Sequence, residues 1–129
     1  MLFRSLTEVL FRRMLQSLKL EYADIFMLGW HNRMPAASLM DLAVQLKEKG
    51  LCRFIGISGH NRPLFVDLAR DGRFDLLQIR YNAAHRGAES DVFPHLPLEN
   101  RPAVVSYTAT RWGHLLDPKK MPPGEAPLI

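Results

Sequence analysis

The chain has 129 residues, 47% hydrophobic and 23% charged, the composition of one ordinary globular domain with a core of its own. Its net charge of +4 comes from scattered basic residues rather than a dense basic cluster interleaved with aromatics, so nucleic acid is not an expected partner. No run approaches the roughly 18 uncharged apolar residues of a membrane span, and Arg4, Glu8, Arg12 and Arg13 interrupt any secretory-type leader. The cytoplasm is the expected address and no membrane partner is expected. A single Cys52 cannot form an internal disulfide and reads as a buried thiol.

Residues 5–20 carry Leu6, Val9, Leu10, Met14 (or Phe11), Leu15 and Leu18 on one broad stripe, which predicts an amphipathic helix. Ser5 and Glu8 have the spacing of a capping box at its start. Residues 24–32 form an apolar run broken at its far end by Gly29, Trp30 and His31, as a buried parallel strand (residues 25–30) is where it opens into a site. Residues 35–49 follow with Leu39, Leu42, Ala43 and Leu46 at helical spacing, and Gly50 stands where a left-handed residue stops a helix. A second apolar strand begins at Arg53 and ends in Ser58, Gly59 and His60. Strand, helix and strand make a βαβ unit, whose binding groups gather at the carboxyl ends of its strands.

Asn61 is placed to cap a further helix with Pro63 in its first turn and Leu64, Phe65, Leu68 and Ala69 facing inward, ending at Gly72. Residues 74–81 read as a third strand. A polar loop over 82–89 then leads to a Pro-interrupted helical turn around 92–96, and residues 103–107 read as a fourth strand. From residue 118 onward the composition turns to Pro, Lys and Gly, which predicts an extended or disordered tail over 118–129 beside a single β/α unit over 1–117. The fold class is α/β with about four parallel strands. An eight-stranded β/α barrel needs about 250 residues, so this length holds half of one, a partial TIM barrel.

At this point the residues resemble the aldo-keto reductase family. The residues carrying the likeness are Leu15, Leu18 and Leu20-Glu-Tyr-Ala-Asp-Ile-Phe, then Leu46-Lys-Glu-Lys-Gly and Arg53-Phe-Ile-Gly-Ile-Ser, then Leu77-Gln-Ile-Arg-Tyr-Asn and Val104-Val-Ser-Tyr. They fall in the family's order and spacing over residues 15–116 and would correspond to the fourth through seventh barrel strands. The resemblance implies an oxidoreductase that reduces a small-molecule carbonyl substrate with NADPH. It implies that Ser58 and Gln78 hold the nicotinamide carboxamide and that Tyr107 stacks on the ring, with Gly59 in place of the family's Asn after the Ser. The family's catalytic His position is filled by Gly29; His31, two residues on, is the substitute if the strand continues that far. The catalytic Asp, Tyr and Lys of the family belong to strands preceding this sequence. A truncated and inactive form is therefore expected, with self-association through its open sheet edges.

Two alternatives stand beside this reading. One is a barrel-derived binding module without catalysis, suggested by Gly29 and by the missing proton donor. The other is a metal-dependent hydrolase. His31, His60, His85 and His114 each follow a strand, and if the first three converge they would hold a metal and activate a bound water. No His-x-His or His-Glu-x-x-His spacing supports the second alternative. Arg80, Arg86 and Arg111 near the same rim suit an anionic group, or in the case of Arg86 an ion pair with Glu89.

Overall fold

The computed structural model describes residues 2–120, 123 and 124, and side chains from residue 6 onward. Helix α1 (Leu2–Ser17) leads into β1 (Ala23–Trp30), α2 (Ala37–Glu48), β2 (Cys52–Gly59), α3 (Arg62–Asp71), β3 (Leu76–Arg80), a short α4 (Ala88–Asp91) and β4 (Ala103–Tyr107). Single 3-10 turns lie at Phe93–His95 and His114–Leu116. The four strands form one sheet in the order β1-β2-β3-β4, and every neighbouring pair is parallel. This is an arc of a β/α barrel, with β1 and β4 as its edges among the described residues.

Strand alternation divides the sheet into two faces. Ile55, Ile57, Leu77 and Ile79 point to the helix side and pack with Met40 and Ala43 of α2 and with Phe65 and Leu68 of α3. The opposite side is the barrel's interior face, and the register stacks it in levels. Ile25 lies beside Phe54; above them come Met27, Gly56, Leu76 and Ala103; then Trp30, Ser58, Gln78 and Val105; and last Arg80 and Tyr107.

The helix stops fall where the sequence puts them, because Gly50 and Gly72 adopt φ of 69° and 76°. Asp75 braces the amino ends of the strands. Its Oδ2 accepts the Ile55 N–H at 2.8 Å and a Lys47 Nζ hydrogen at 2.6 Å, tying β2 and α2 to the start of β3.

Three local expectations are corrected. Ser5 lies inside α1, which already runs from Leu2, and not at the position before it. Glu8 instead pairs with Arg12 one turn on and with Lys49 at the end of α2. Of the α1 stripe only Phe11 and Leu15 are buried, Phe11 edge-on to Phe26 at 5.2 Å, while Leu6, Val9, Leu10, Met14 and Leu18 are exposed. The helix lies over the β1 edge, where only α2 and one strand are available to cover it. The helical turn expected around 92–96 begins earlier, in α4, and Pro94, which has no N–H, sits in the 3-10 turn that follows. Asn61 occupies the N-cap position of α3 but makes no cap hydrogen bond; its amide nitrogen donates to the Asn32 carbonyl at 3.2 Å. In the tail, residues 118–120 form a turn in which Lys120 N–H bonds the Asp117 carbonyl. The rest of that expectation falls largely on residues 121, 122 and 125–129, outside the described residues.

Candidate active site

The interior face at the carboxyl ends of the strands brings together three residues singled out from the sequence. Ser58 and Gln78 are direct partners across β2 and β3, and Tyr107 stands two residues further along β4 than Val105, the partner of Gln78. All three therefore share one side of the sheet. The Ser58 hydroxyl donates to the Gly29 carbonyl at 3.0 Å and keeps its own oxygen as an acceptor. The Gln78 amide has no hydrogen bond to any described residue, although the side chain is half-buried. The Tyr107 hydroxyl donates to the Gly59 carbonyl at 3.0 Å, and burial pushes its phenol pKa up.

Trp30 and His60 also belong to this rim, and the sequence reading gave them no role in cofactor binding. The His60 imidazole stacks on Tyr107 at 5.8 Å and meets the Trp30 ring edge-on at 5.5 Å, so three aromatic rings bridge the ends of β1, β2 and β4. One face of Tyr107 is thereby taken.

Trp30 reaches this level because of Gly29. At φ of 88° Gly29 opens a register shift between Met27 and Trp30, so that Trp30 rather than Gly29 pairs with Ser58. The same shift corrects the expected orientation of His31. The strand ends at Trp30, so the alternation expected to carry His31 to the interior face stops one residue short of it. One ring nitrogen lies 3.1 Å from the Leu28 carbonyl, and the backbone N–H of His31 closes the ladder on Ser58. The bulge could have been suspected from a glycine inside an apolar strand; its effect on side-chain parity could not.

Gly59 has a different reason to be glycine. A Cβ there would run into the His31 carbonyl oxygen, so the close crossing of β1 and β2 at the rim needs a bare backbone. The rim histidines do not converge on a metal: among the described residues no group of three or more His, Cys, Asp or Glu is placed to hold one. The ring of His60 is engaged with Trp30 and Tyr107, and His85 with Asn82 and Arg80. Arg86 forms the expected ion pair with Glu89, its Nε 2.9 Å from Oε1 and its Nη2 2.9 Å from Oε2.

A family profile described as the aldo/keto reductase family matches residues 7–125. The chain belongs to the aldo/keto reductase family. A curated relative, the NADH-specific methylglyoxal reductase of Escherichia coli, is 28% identical over 105 residues, covering 78% of this chain and 32% of that protein. Among solved structures, an aldo-keto reductase from Bacillus halodurans in its holo form superposes with a TM-score of 0.73 at 21% identity, over 95% of this chain and 41% of that one. The aldo/keto reductase from Klebsiella pneumoniae solved with NADP and acetate gives a TM-score of 0.60 at 22% identity, over 80% and 37%. These reductase structures share the fold of this chain, which spans about a third of the curated relative's length. No described helix is long and apolar enough to cross a membrane.

Proposed function

We propose that this chain forms the nicotinamide-binding wall of an NAD(P)H-dependent carbonyl reductase. The observation that carries the reading is Gln78: a half-buried amide on the interior face with no hydrogen-bond partner among the described residues, between Ser58 and Tyr107. A carboxamide has one acceptor and two donor hydrogens. The Gln78 amide and the Ser58 oxygen offer complementary groups on adjacent strands, and Tyr107 has a ring face turned away from His60 for the pyridine. The donor set therefore fits the group. A reduced nicotinamide held there supplies hydride to a carbonyl carbon. The chain's own residues fix the amide edge, and the Trp30–His60–Tyr107 rings exclude water from one side of it.

The acid that protonates the carbonyl oxygen is assigned to strands outside this arc, since Trp30 occupies the β1 position level with Ser58. The arc alone therefore binds the dinucleotide without turning over an aldehyde. Both NADPH and NADH are candidates, because one relative is NADH-specific and another was solved with NADP. The open interior face and the edges of β1 and β4 make self-association the expected behaviour of the isolated chain.

Titration with each dinucleotide, followed by energy transfer from tryptophan to the reduced nicotinamide, tests the proposal. Saturable binding that weakens at least tenfold in Gln78→Ala supports it. No binding to either dinucleotide by a folded chain refutes it. The second reading, a module that binds but does not catalyse in any assembly, is favoured by the same Trp30 placement. It is distinguished by aldehyde turnover once the complementary strands are supplied.

A further inference from the structure

Beyond β3 and β4 lies a polar network that the cofactor reading does not use. Asn82 is a buried polar residue at the end of β3. Its Nδ2 donates to the Thr108 carbonyl at 2.9 Å, and its Oδ1 accepts the Ala84 N–H at 3.0 Å. A carbonyl can only accept and an N–H can only donate, so these two bonds fix which way the amide faces. Asn82 Oδ1 also lies 3.1 Å from His85 Nδ1. That ring nitrogen must then carry the hydrogen, which leaves Nε2 bare. The bare Nε2 is the atom that receives Arg80 Nη2. The guanidinium of Arg80 in turn lies 5.5 Å from the centre of the Trp112 ring, has no ion-pair partner among the described residues, and buries its Nε without an acceptor.

The far end of this chain of contacts is a strained loop. Thr108, Arg111 and Trp112 all adopt left-handed φ, at 55°, 50° and 54°, although none is glycine. Such conformations cost free energy and persist only where the surroundings hold them. What holds them here is visible: Asn82 on the Thr108 carbonyl at one end, Arg80 under Trp112 at the other.

We infer that Asn82, His85 and Arg80 form a latch that pins the loop 108–113 against β3, and that protonation of His85 opens it. A second hydrogen on Nε2 removes the acceptor from Arg80 and sets two cations side by side. Nothing nearby compensates. Burial holds the imidazole of His85 below its usual pKa, and the charged groups facing it, Arg80 from β3 and Arg111 from the loop after β4, are both positive and act in the same direction. The cavity of about 110 Å³ beside it is lined by Gly59, His60, Arg62, Phe65, Ile79, Arg80 and His85, with no carboxylate. Arg62 has its own partner in Asp91, and Glu89 is bonded to Arg86 and Tyr81. The latch rests on its own contacts and not on the nicotinamide assignment, although it adjoins that site, since Arg80 pairs with Tyr107 across β3 and β4 and Thr108 follows Tyr107.

The test uses the full chain in a Trp30→Phe background, which leaves Trp112 as the fluorophore. Its emission is followed as the pH is lowered from neutral. The expected result is a sigmoidal change with its midpoint below the usual histidine value, abolished by His85→Gln, which keeps an acceptor and cannot charge. A flat profile overturns the inference. So does a transition that survives His85→Gln and disappears in His114→Gln, since His114 lies two residues from Trp112. If His85→Gln does not fold, nitrogen-detected NMR of the parent chain decides: the Nδ1–H tautomer at neutral pH is required, and the Nε2–H tautomer refutes the latch.

Discussion

The two faces of the sheet differ more than any other pair of regions in the molecule. On the helix side Ile55, Ile57, Leu77 and Ile79 are 0–1% exposed, while on the interior side Ile25, Met27, Phe54 and Val105 are 38–43% exposed. Both sets are large apolar residues of the same sheet. The first set meets α2 and α3, which the chain supplies between its strands; the second faces where the opposite staves of a barrel stand. Local βαβ connectivity thus completes one core and leaves the interior face, with the proposed nicotinamide wall, open among the described residues. The packed core and the proposed cofactor wall are separated by the thickness of one sheet.

Substitutions on the two faces sharpen that comparison. The largest effect is expected for Leu77→Ala, which opens a hole under two helices and lowers the unfolding free energy by about 2–5 kcal/mol. Val105→Ala on the interior face is expected to change it by less than ~0.5 kcal/mol in the monomer. Urea denaturation of the two variants checks the contrast, and equal losses would mean that the interior face is covered in solution.

Sedimentation attacks the same point directly. Self-association is expected to place the chain above monomer mass, with Phe54→Lys driving it toward monomer; a compact monomer with a fully soluble interior face breaks the comparison. Next in size is Gly59→Ala, where the added methyl meets the backbone of His31 rather than a flexible side chain. The expected loss is about 1–3 kcal/mol. Gly29→Ala meets no atom within 4 Å and pays only for its left-handed backbone, roughly 1 kcal/mol. If the two glycine variants lose the same amount, close approach is not the reason for Gly59.

The smallest effect is pH-linked. The folded pKa of His85 lies below its unfolded value of about 6.5, so the unfolded chain binds the proton more readily. Its contribution is complete above that value and disappears as the pH falls through the folded pKa. The urea midpoint of the parent is expected to decline between pH 7 and pH 5 more than that of His85→Gln.

The strands and helices were legible because their signals are local. Apolar runs bounded by Gly50, Gly72 and Pro63 specify strand, helix and stop without reference to distant residues. Parallel order followed from the alternation, whereas the coincidence of Ser58, Gln78 and Tyr107 on one face was expected only from the family resemblance and is set by the register of three strands. The face of α1 was not legible, since periodicity shows that a helix is amphipathic but not which neighbours exist to cover it. Nor was the turn at α4, where Gly87 and Pro94 compete within eight residues.

What the sequence determined by itself was the order of the elements, their direction and the residue types at the strand ends, all set by short-range periodicity and by glycine and proline chemistry. What only the tertiary structure decided was which of those residues meet. A single left-handed glycine shifted the register of β1 and brought Trp30, rather than Gly29, level with Ser58. The Thr108 carbonyl, 26 residues away in sequence, fixed the way the Asn82 amide faces His85. Both are long-range effects of hydrogen-bond geometry, and one residue of slip reverses them.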